Sequence, residues 1–322
     1  MSQRYPFAIM KPGFNALVAP TPSYTYYIYG AGRNGSGQIG DSTTTYRSSP
    51  VQIGSASNWS SVFNAENVSL GLQTDGTLWT WGRNNNGQLG QNTNGDAYSR
   101  SSPTQVGALT NWASVGGNRN SGVCAIKTDG TLWTWGGGGS GQLGHGDSIS
   151  KSSPTQVGSD TTWAQISMGD SSARAVKTDG TLWVWGSGQD GQLGIGNTTS
   201  YSSPKQVGAL TNWLYVCAGM YNTFAIKTNG TLWSWGKNNN GQLGLGNTTY
   251  YSSPKQVGAL TTWSTVKGGY GMALALRTDG TLWAWGRGTN GCLGLNNTID
   301  YSSPKQIGAL TTWSKIACST TT

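Results

Sequence analysis

Side chains able to do acid–base, thiol or metal chemistry are scarce in this 322-residue chain. There is one histidine, His145, and one glutamate, Glu66, among only 12 acidic residues. Cys124, Cys217, Cys292 and Cys318 stand far apart with no C-x-x-C pair. They read as small hydrophobes or idle thiols, not as a zinc or disulfide framework. His145 follows Gly144 in a loop, where a lone histidine is solvated. Asp75, Asp129, Asp179 and Asp279 each precede a glycine, a placement that serves a turn before it serves catalysis. No other carboxylate pair has a spacing that calls for acid–base work. The expectation is no enzymatic activity, no catalytic residue, no metal and no cofactor.

Positive charge is plentiful by comparison: 20 Lys and Arg give a formal net charge of +8. Its placement is periodic. Lys127, Lys177, Lys227 and Arg277 precede a turn, while Arg33, Arg83, Lys237 and Arg287 follow a Trp-Gly or its counterpart. Around a recurring Ser-Ser-Pro the pattern is sharper. Three copies carry Arg47, Arg100 and Lys151 just before it; three carry Tyr201, Tyr251 and Tyr301 there and move the charge to Lys205, Lys255 and Lys305. The two positions are four apart, so on a strand they share a face. One reading is protection of an edge strand against pairing with other chains. The other is a basic, tyrosine-studded rim for an anionic partner, an acidic glycan or a protein subunit. Charge spread evenly round a rim offers no stripe for tracking a duplex, so nucleic acid is not the expected partner.

The elements that must hold these residues come from an internal repeat. Thr-Asp/Asn-Gly-Thr-Leu-Trp begins at Thr74, Thr128, Thr178, Thr228 and Thr278. Ser-Ser-Pro ends at Pro50, Pro103, Pro154, Pro204, Pro254 and Pro304, and nine residues after each stands Trp59, Trp112, Trp163, Trp213, Trp263 or Trp313. The other ten of the 16 tryptophans form five pairs, whose second members are Trp81, Trp135, Trp185, Trp235 and Trp285. These eleven are the expected core. Each buried indole removes roughly 150–250 Å² from water, about 4–6 kcal/mol of gross gain before chain entropy. That aromatic content excludes a disordered chain, and 50 glycines without a G-X-Y period exclude collagen.

Each unit reads as four short strands. Asp-Gly between two apolar runs predicts a two-residue type I′ hairpin, with positive φ at both central residues. A further strand fits residues 163–167, and a fourth, starting at Pro204, fits an edge. Four strands per ~50 residues predict an all-β chain forming a single β-propeller. Six copies of most motifs predict six blades. The chain ends after residues 313–317, the first strand of an unfinished unit, and residues 26–32 align with residues 76–82. The two termini are therefore expected to share one composite blade, with residues 14–18 as its missing strand. Residues 1–23 form an arm or closure segment and 24–322 the propeller.

The run Leu-Trp-x-Trp-Gly-x-Asn-x-x-Gly-Gln-Leu-Gly, as in residues 78–90 and 232–244, resembles the repeat of the regulator-of-chromosome-condensation propeller family. The resemblance covers about residues 24–318. The best-known members have seven blades. The namesake is a nucleotide-exchange factor for a small GTPase that uses a projecting wedge and acidic and histidine contacts. This chain lacks a comparable insertion, so exchange activity is not expected. Other members are pure binding modules. No stretch reaches the ~18 apolar residues of a membrane span, and the first ten residues do not form a secretory leader. Two roles follow. One is a virion structural or host-surface adhesion protein of a tailed phage, suggested by near-identical tandem units, a polar Ser/Thr/Asn/Gly surface, the lack of a signal peptide and of disulfides, and residues 1–22, which resemble leaders on phage structural proteins; other virion proteins or host glycan would be the partners. The other is a cytoplasmic interaction scaffold or inhibitor.

Overall fold

The repeat becomes sheets of antiparallel strands laid down in chain order, described in a computed structural model for residues 26–65, 67–118 and 121–318. Sheet I pairs β1 (Tyr29–Gly32) with β2 (Arg47–Gln52). Blade II holds β3 (Trp59–Ala65), β4 (Val68–Gln73), β5 (Leu78–Gly82) and β6 (Arg100–Gln105). Blade III holds β7 (Trp112–Gly117), β8 (Gly122–Lys127), β9 (Leu132–Gly136) and β10 (Lys151–Gln156). Blade IV holds β11 (Trp163–Met168), β12 (Ser172–Lys177), β13 (Leu182–Gly186) and β14 (Tyr201–Gln206). Blade V holds β15 (Trp213–Ala218), β16 (Asn222–Lys227), β17 (Leu232–Gly236) and β18 (Tyr251–Gln256). Blade VI holds β19 (Trp263–Gly268), β20 (Met272–Arg277), β21 (Leu282–Gly286) and β22 (Tyr301–Gln306). In the five four-stranded sheets each strand pairs with its neighbours in sequence. The fourth strand is outermost, and its register shifts beside the proline, as in β14 between the partners of Val184 and Gly186. An edge tolerates a residue with no N–H to donate.

The Asp-Gly turn differs from the type I′ expectation. Gly130 has φ +76°, but Asp129 is not among the residues with positive φ. Gly130 N–H donates to Lys127 O at 2.9 Å and Lys127 N–H to Thr131 O at 3.0 Å, a three-residue loop ending in a left-handed glycine. The cause is side-chain bonding. Asp129 Oδ1 accepts both the N–H and the hydroxyl of Thr131, and that hydroxyl accepts Trp133 Nε1–H at 2.8 Å. The whole hexapeptide is thereby used in folding.

The core lies between blades. Clusters mix, for example, Val68, Leu70 and Leu78 of blade II with Trp112, Val123 and Trp135 of blade III. Trp81, Trp135, Trp185, Trp235 and Trp285 are fully buried. Each donates its indole N–H to the carbonyl of a residue in the preceding unit: Gln38, Gln88, Gln142, Gln192 and Gln242, at 2.9–3.0 Å. The Gly-Gln-Leu-Gly element is thus an inter-blade latch. Its last glycine must be glycine: Gly244 has φ +73°, and a Cβ there would lie 2.8 Å from Trp285 Nε1. Trp59, Trp112, Trp163, Trp213 and Trp263 are also buried, each against both indoles of its own blade's pair at 6.0–6.2 Å between ring centroids.

The junction of the two chain ends departs from this pattern. Trp313, expected in the core, is 40% exposed, and residues 311–318 form no strand among the described residues. Sheet I therefore consists of β1 and β2 alone among the described residues, so the expected sharing of one blade by both termini is not shown, and residues 14–18 lie outside the described residues. Among the described residues no strand pairs with this segment, and its indole stays half in solvent. The latch is missing here on both sides, since Ala31 stands where Trp81 stands in the next unit and Cys292 replaces the glutamine. All six units nonetheless face one axial cavity of about 900 Å³, lined by Phe63, Val115, Ile166, Val216, Lys267 and Ile316 among others.

Candidate functional site

The nine rim residues lie on the six outer strands, one sheet apart, and their charge is engaged locally. Arg47 is ion-paired to Asp41 at 2.6 Å and Lys151 to Asp147 at 2.9 Å. Arg100 donates to the carbonyls of Tyr98 and Ser99. Lys205, Lys255 and Lys305 sit over the rings of Tyr201, Tyr251 and Tyr301, 5.3–5.5 Å from the centroids. The same-face reading thus places each Tyr–Lys pair together, but no two blades pool their cations on this rim. At the hairpin end Lys127, Lys177 and Lys227 are largely buried over indole faces, Lys127 3.6 Å from the centroid of Trp133. Burial holds the Lys127 and Lys227 amines below the ordinary lysine value.

His145 is half-buried, with Nε2 2.9 Å from Thr134 Oγ1. It fills the position that Asp41, Gln91, Ile195, Leu245 and Leu295 fill in other units, so it is a packing residue of the repeat. Burial lowers its pKa. Arg174, fully buried, occupies the place of Leu70, Cys124, Phe224 and Leu274. It donates to Thr223 Oγ1 and Asn222 O across the blade IV–V boundary, and to Ser172 O and Oγ on its own strand. Burial pushes its pKa down to about 9. Among the described residues no three His, Cys, Asp or Glu side chains gather as metal ligands.

Cations do converge at the opposite end, where the first two strands of each blade are joined. The register Asn222↔Gly236 puts Tyr221 beside Lys237, and Met272↔Gly286 puts Tyr270 near Arg287. Lys237 Nζ lies 4.8 Å from the Tyr221 ring centroid, and the Arg287 guanidinium lies 5.7 Å from that of Tyr270. Together with Asn239, Asn240, Gln242 and Thr289 they line a hollow of about 390 Å³ between blades V and VI. Among the described residues neither cation has a carboxylate partner; Arg287 Nε donates to Thr289 Oγ1 at 3.1 Å. Burial and the Asp170 charge raise the Tyr221 phenol above its ordinary pKa. Arg33, Asp170 and Lys267 line the axial cavity alongside.

The profile of the RCC1-like domain matches residues 115–322, and that of the regulator of chromosome condensation (RCC1) repeat matches residues 75–121. The chain belongs to the RCC1-like domain family. This RCC1-like chain is 30% identical over 148 residues to the ultraviolet-B receptor UVR8 of Arabidopsis thaliana, a match spanning 45% of this chain and 32% of that protein. The aligned stretch is thus about a third of the relative's length. Human WBSCR16 superposes with a TM-score of 0.80 at 22% identity, covering 90% of this chain and 78% of the other. Prp20p of Saccharomyces cerevisiae, studied for binding to Gsp1p and histones, gives 0.75 at 20% identity, covering 88% and 73%. At these identities the likeness establishes the β-propeller fold. No helix of the described residues is long and apolar enough to cross a membrane.

The cation–tyrosine pairs of blades V and VI are the residues that sequence reasoning passed over. Lys237 and Arg287 were visible as a recurring position, but Tyr221 and Tyr270 belong to no repeated motif. Only the strand register brings them alongside.

Proposed function

We propose that this RCC1-like chain is a non-catalytic binding module that takes a protein partner on the face carrying Tyr221, Lys237, Tyr270 and Arg287. The observation behind this reading is that two cations, each seated on a tyrosine ring and lacking a carboxylate partner among the described residues, share one hollow beside the axial cavity. Partly desolvated, uncompensated charge favours an acidic surface and steers its approach. Tyrosine and arginine are also the residue types that anchor protein interfaces. Prp20p, which shares the fold, binds proteins, as its pairings with Gsp1p, histones and Kap60 attest. A virion or host-surface role rests on near-identical polar repeats, which suit a cellular scaffold equally, and on residues 1–22, which lie outside the described part.

The test is affinity capture by three tagged forms: the unaltered chain, Lys237→Ala/Arg287→Ala, and the rim variant Lys205→Ala/Lys255→Ala. A stoichiometric partner retained by the first and third and lost by the second is expected. Equal retention by the second and third would contradict the assignment of the face.

A further inference from the structure

The same chain contains a version of this hollow that carries its own acid. Between sheet I and blade II, Arg33 and Arg83 stand where Lys237 and Arg287 stand between blades V and VI, and they line a hollow of about 640 Å³. There the chain inserts its own acid. Asp96, in the short insertion around Asn94 and Gly95, receives Arg83 Nε at 2.9 Å on one carboxylate oxygen and Nη2 at 3.4 Å on the other. This two-point grip is the geometry by which a guanidinium recognises a carboxylate.

Blades V and VI carry no such insertion. The acids nearby are already engaged: Asp300 accepts the Gly288 N–H at 2.8 Å and the Asn240 amide at 3.3 Å, and Asp170 accepts the Tyr221 hydroxyl at 3.5 Å. Among the described residues the Arg287 guanidinium makes one hydrogen bond, to Thr289, beside its contact with the Tyr270 ring. We propose that the blade V–VI hollow binds a carboxylate side chain from an acidic peptide segment, with Arg287 gripping it as Arg83 grips Asp96 and Lys237 taking a neighbouring carboxylate. The Tyr221 and Tyr270 rings hold the two cations in place. This rests on the proposed binding face and names the chemistry of what binds there.

The probe is a fluorescein-labelled peptide alternating glutamate with glycine, measured by anisotropy on the full chain, with the glutamine version alongside. At ~20 mM salt the glutamate peptide binds and the glutamine peptide does not; raising salt to ~150 mM weakens it. Lys237→Ala/Arg287→Ala lowers affinity about ten-fold or more, while Lys205→Ala/Lys255→Ala, which removes the same charge from the rim, changes it less than two-fold. Binding lost equally in both double variants would reduce the effect to net charge and overturn the proposal, as would undiminished binding of the glutamine peptide or no binding at low salt. Circular dichroism confirms that each variant is folded. If the peptide fails while capture of a protein partner still depends on Lys237 and Arg287, the carboxylate assignment falls and the binding face stands.

Discussion

Replacing Gly244 by alanine should destabilise the protein far more than the same change at Gly294. Both glycines close a Gly-x-Leu-Gly element and both are left-handed, with φ +73° and +66°. Alanine in that region costs about 1–2 kcal/mol at either site. At Gly244 the new Cβ would stand 2.8 Å from Trp285 Nε1 and 3.1 Å from Cδ1, so the indole must move. Overpacking of this kind costs about 1–3 kcal/mol. Displacing the indole also breaks its 2.9 Å bond to Gln242 O, worth about 1 kcal/mol. At Gly294 the nearest atom is Ile307 Cδ1 at 3.7 Å, ordinary contact. The expected losses are about 3–6 kcal/mol for Gly244→Ala and about 1–2 kcal/mol for Gly294→Ala. Urea unfolding followed by indole fluorescence, with m checked for constancy, measures both. Equal losses would mean that the latch does not hold neighbouring blades together.

Asp75, Asp129, Asp179 and Asp279 are held below the usual carboxylate range, chiefly by hydrogen bonds from the threonine two residues on. A folded pKa below the unfolded one contributes stability that is present above the unfolded value, near 4, and is lost as pH falls through the folded one. The fourfold Asp→Asn variant, copying Asn229, should therefore show a flatter acid-side decline in melting temperature; an unaltered slope would count against those bonds. Arg174→Leu should leave stability unchanged or raised, since an apolar side chain avoids the desolvation cost of a buried charge held only by neutral acceptors. A clear drop in melting temperature would show that its four neutral acceptors outweigh desolvation. Burial pushes the Cys124 thiol up to about 12, whereas Cys292 is exposed. Iodoacetamide at pH ~8 should label Cys292 first in the native protein, and peptide mapping that finds Cys124 labelled first would contradict that burial.

Tryptophan placement was legible because large rings recur at fixed intervals and leave few ways to bury them. The turn was not, because Asp-Gly suits both a two-residue and a three-residue loop, and Thr131 decides between them through its bonds to Asp129 and Trp133. The four-residue spacing put Tyr201 with Lys205 and Tyr251 with Lys255 on one face, and the rings do lie under the amines, but it could not show that Asp41 and Asp147 pair with Arg47 and Lys151. The blade V–VI hollow escaped because it depends on Tyr221 and Tyr270, neighbours of Lys237 and Arg287 only through strand pairing. Ala31 and Cys292 did carry a readable signal. Each breaks the repeat at its latch position, and together they mark the junction where Trp313 stays exposed.

Indole N–H exchange, followed by NMR on protein labelled at tryptophan, tests the blade-to-blade account directly. The signals of Trp81, Trp135, Trp185, Trp235 and Trp285, each bonded across a blade boundary, should exchange at a rate set by separation of the blades, with Trp313 exchanging fastest of all. Exchange of those five as rapid as that of Trp313 would mean that the blades are not joined as described.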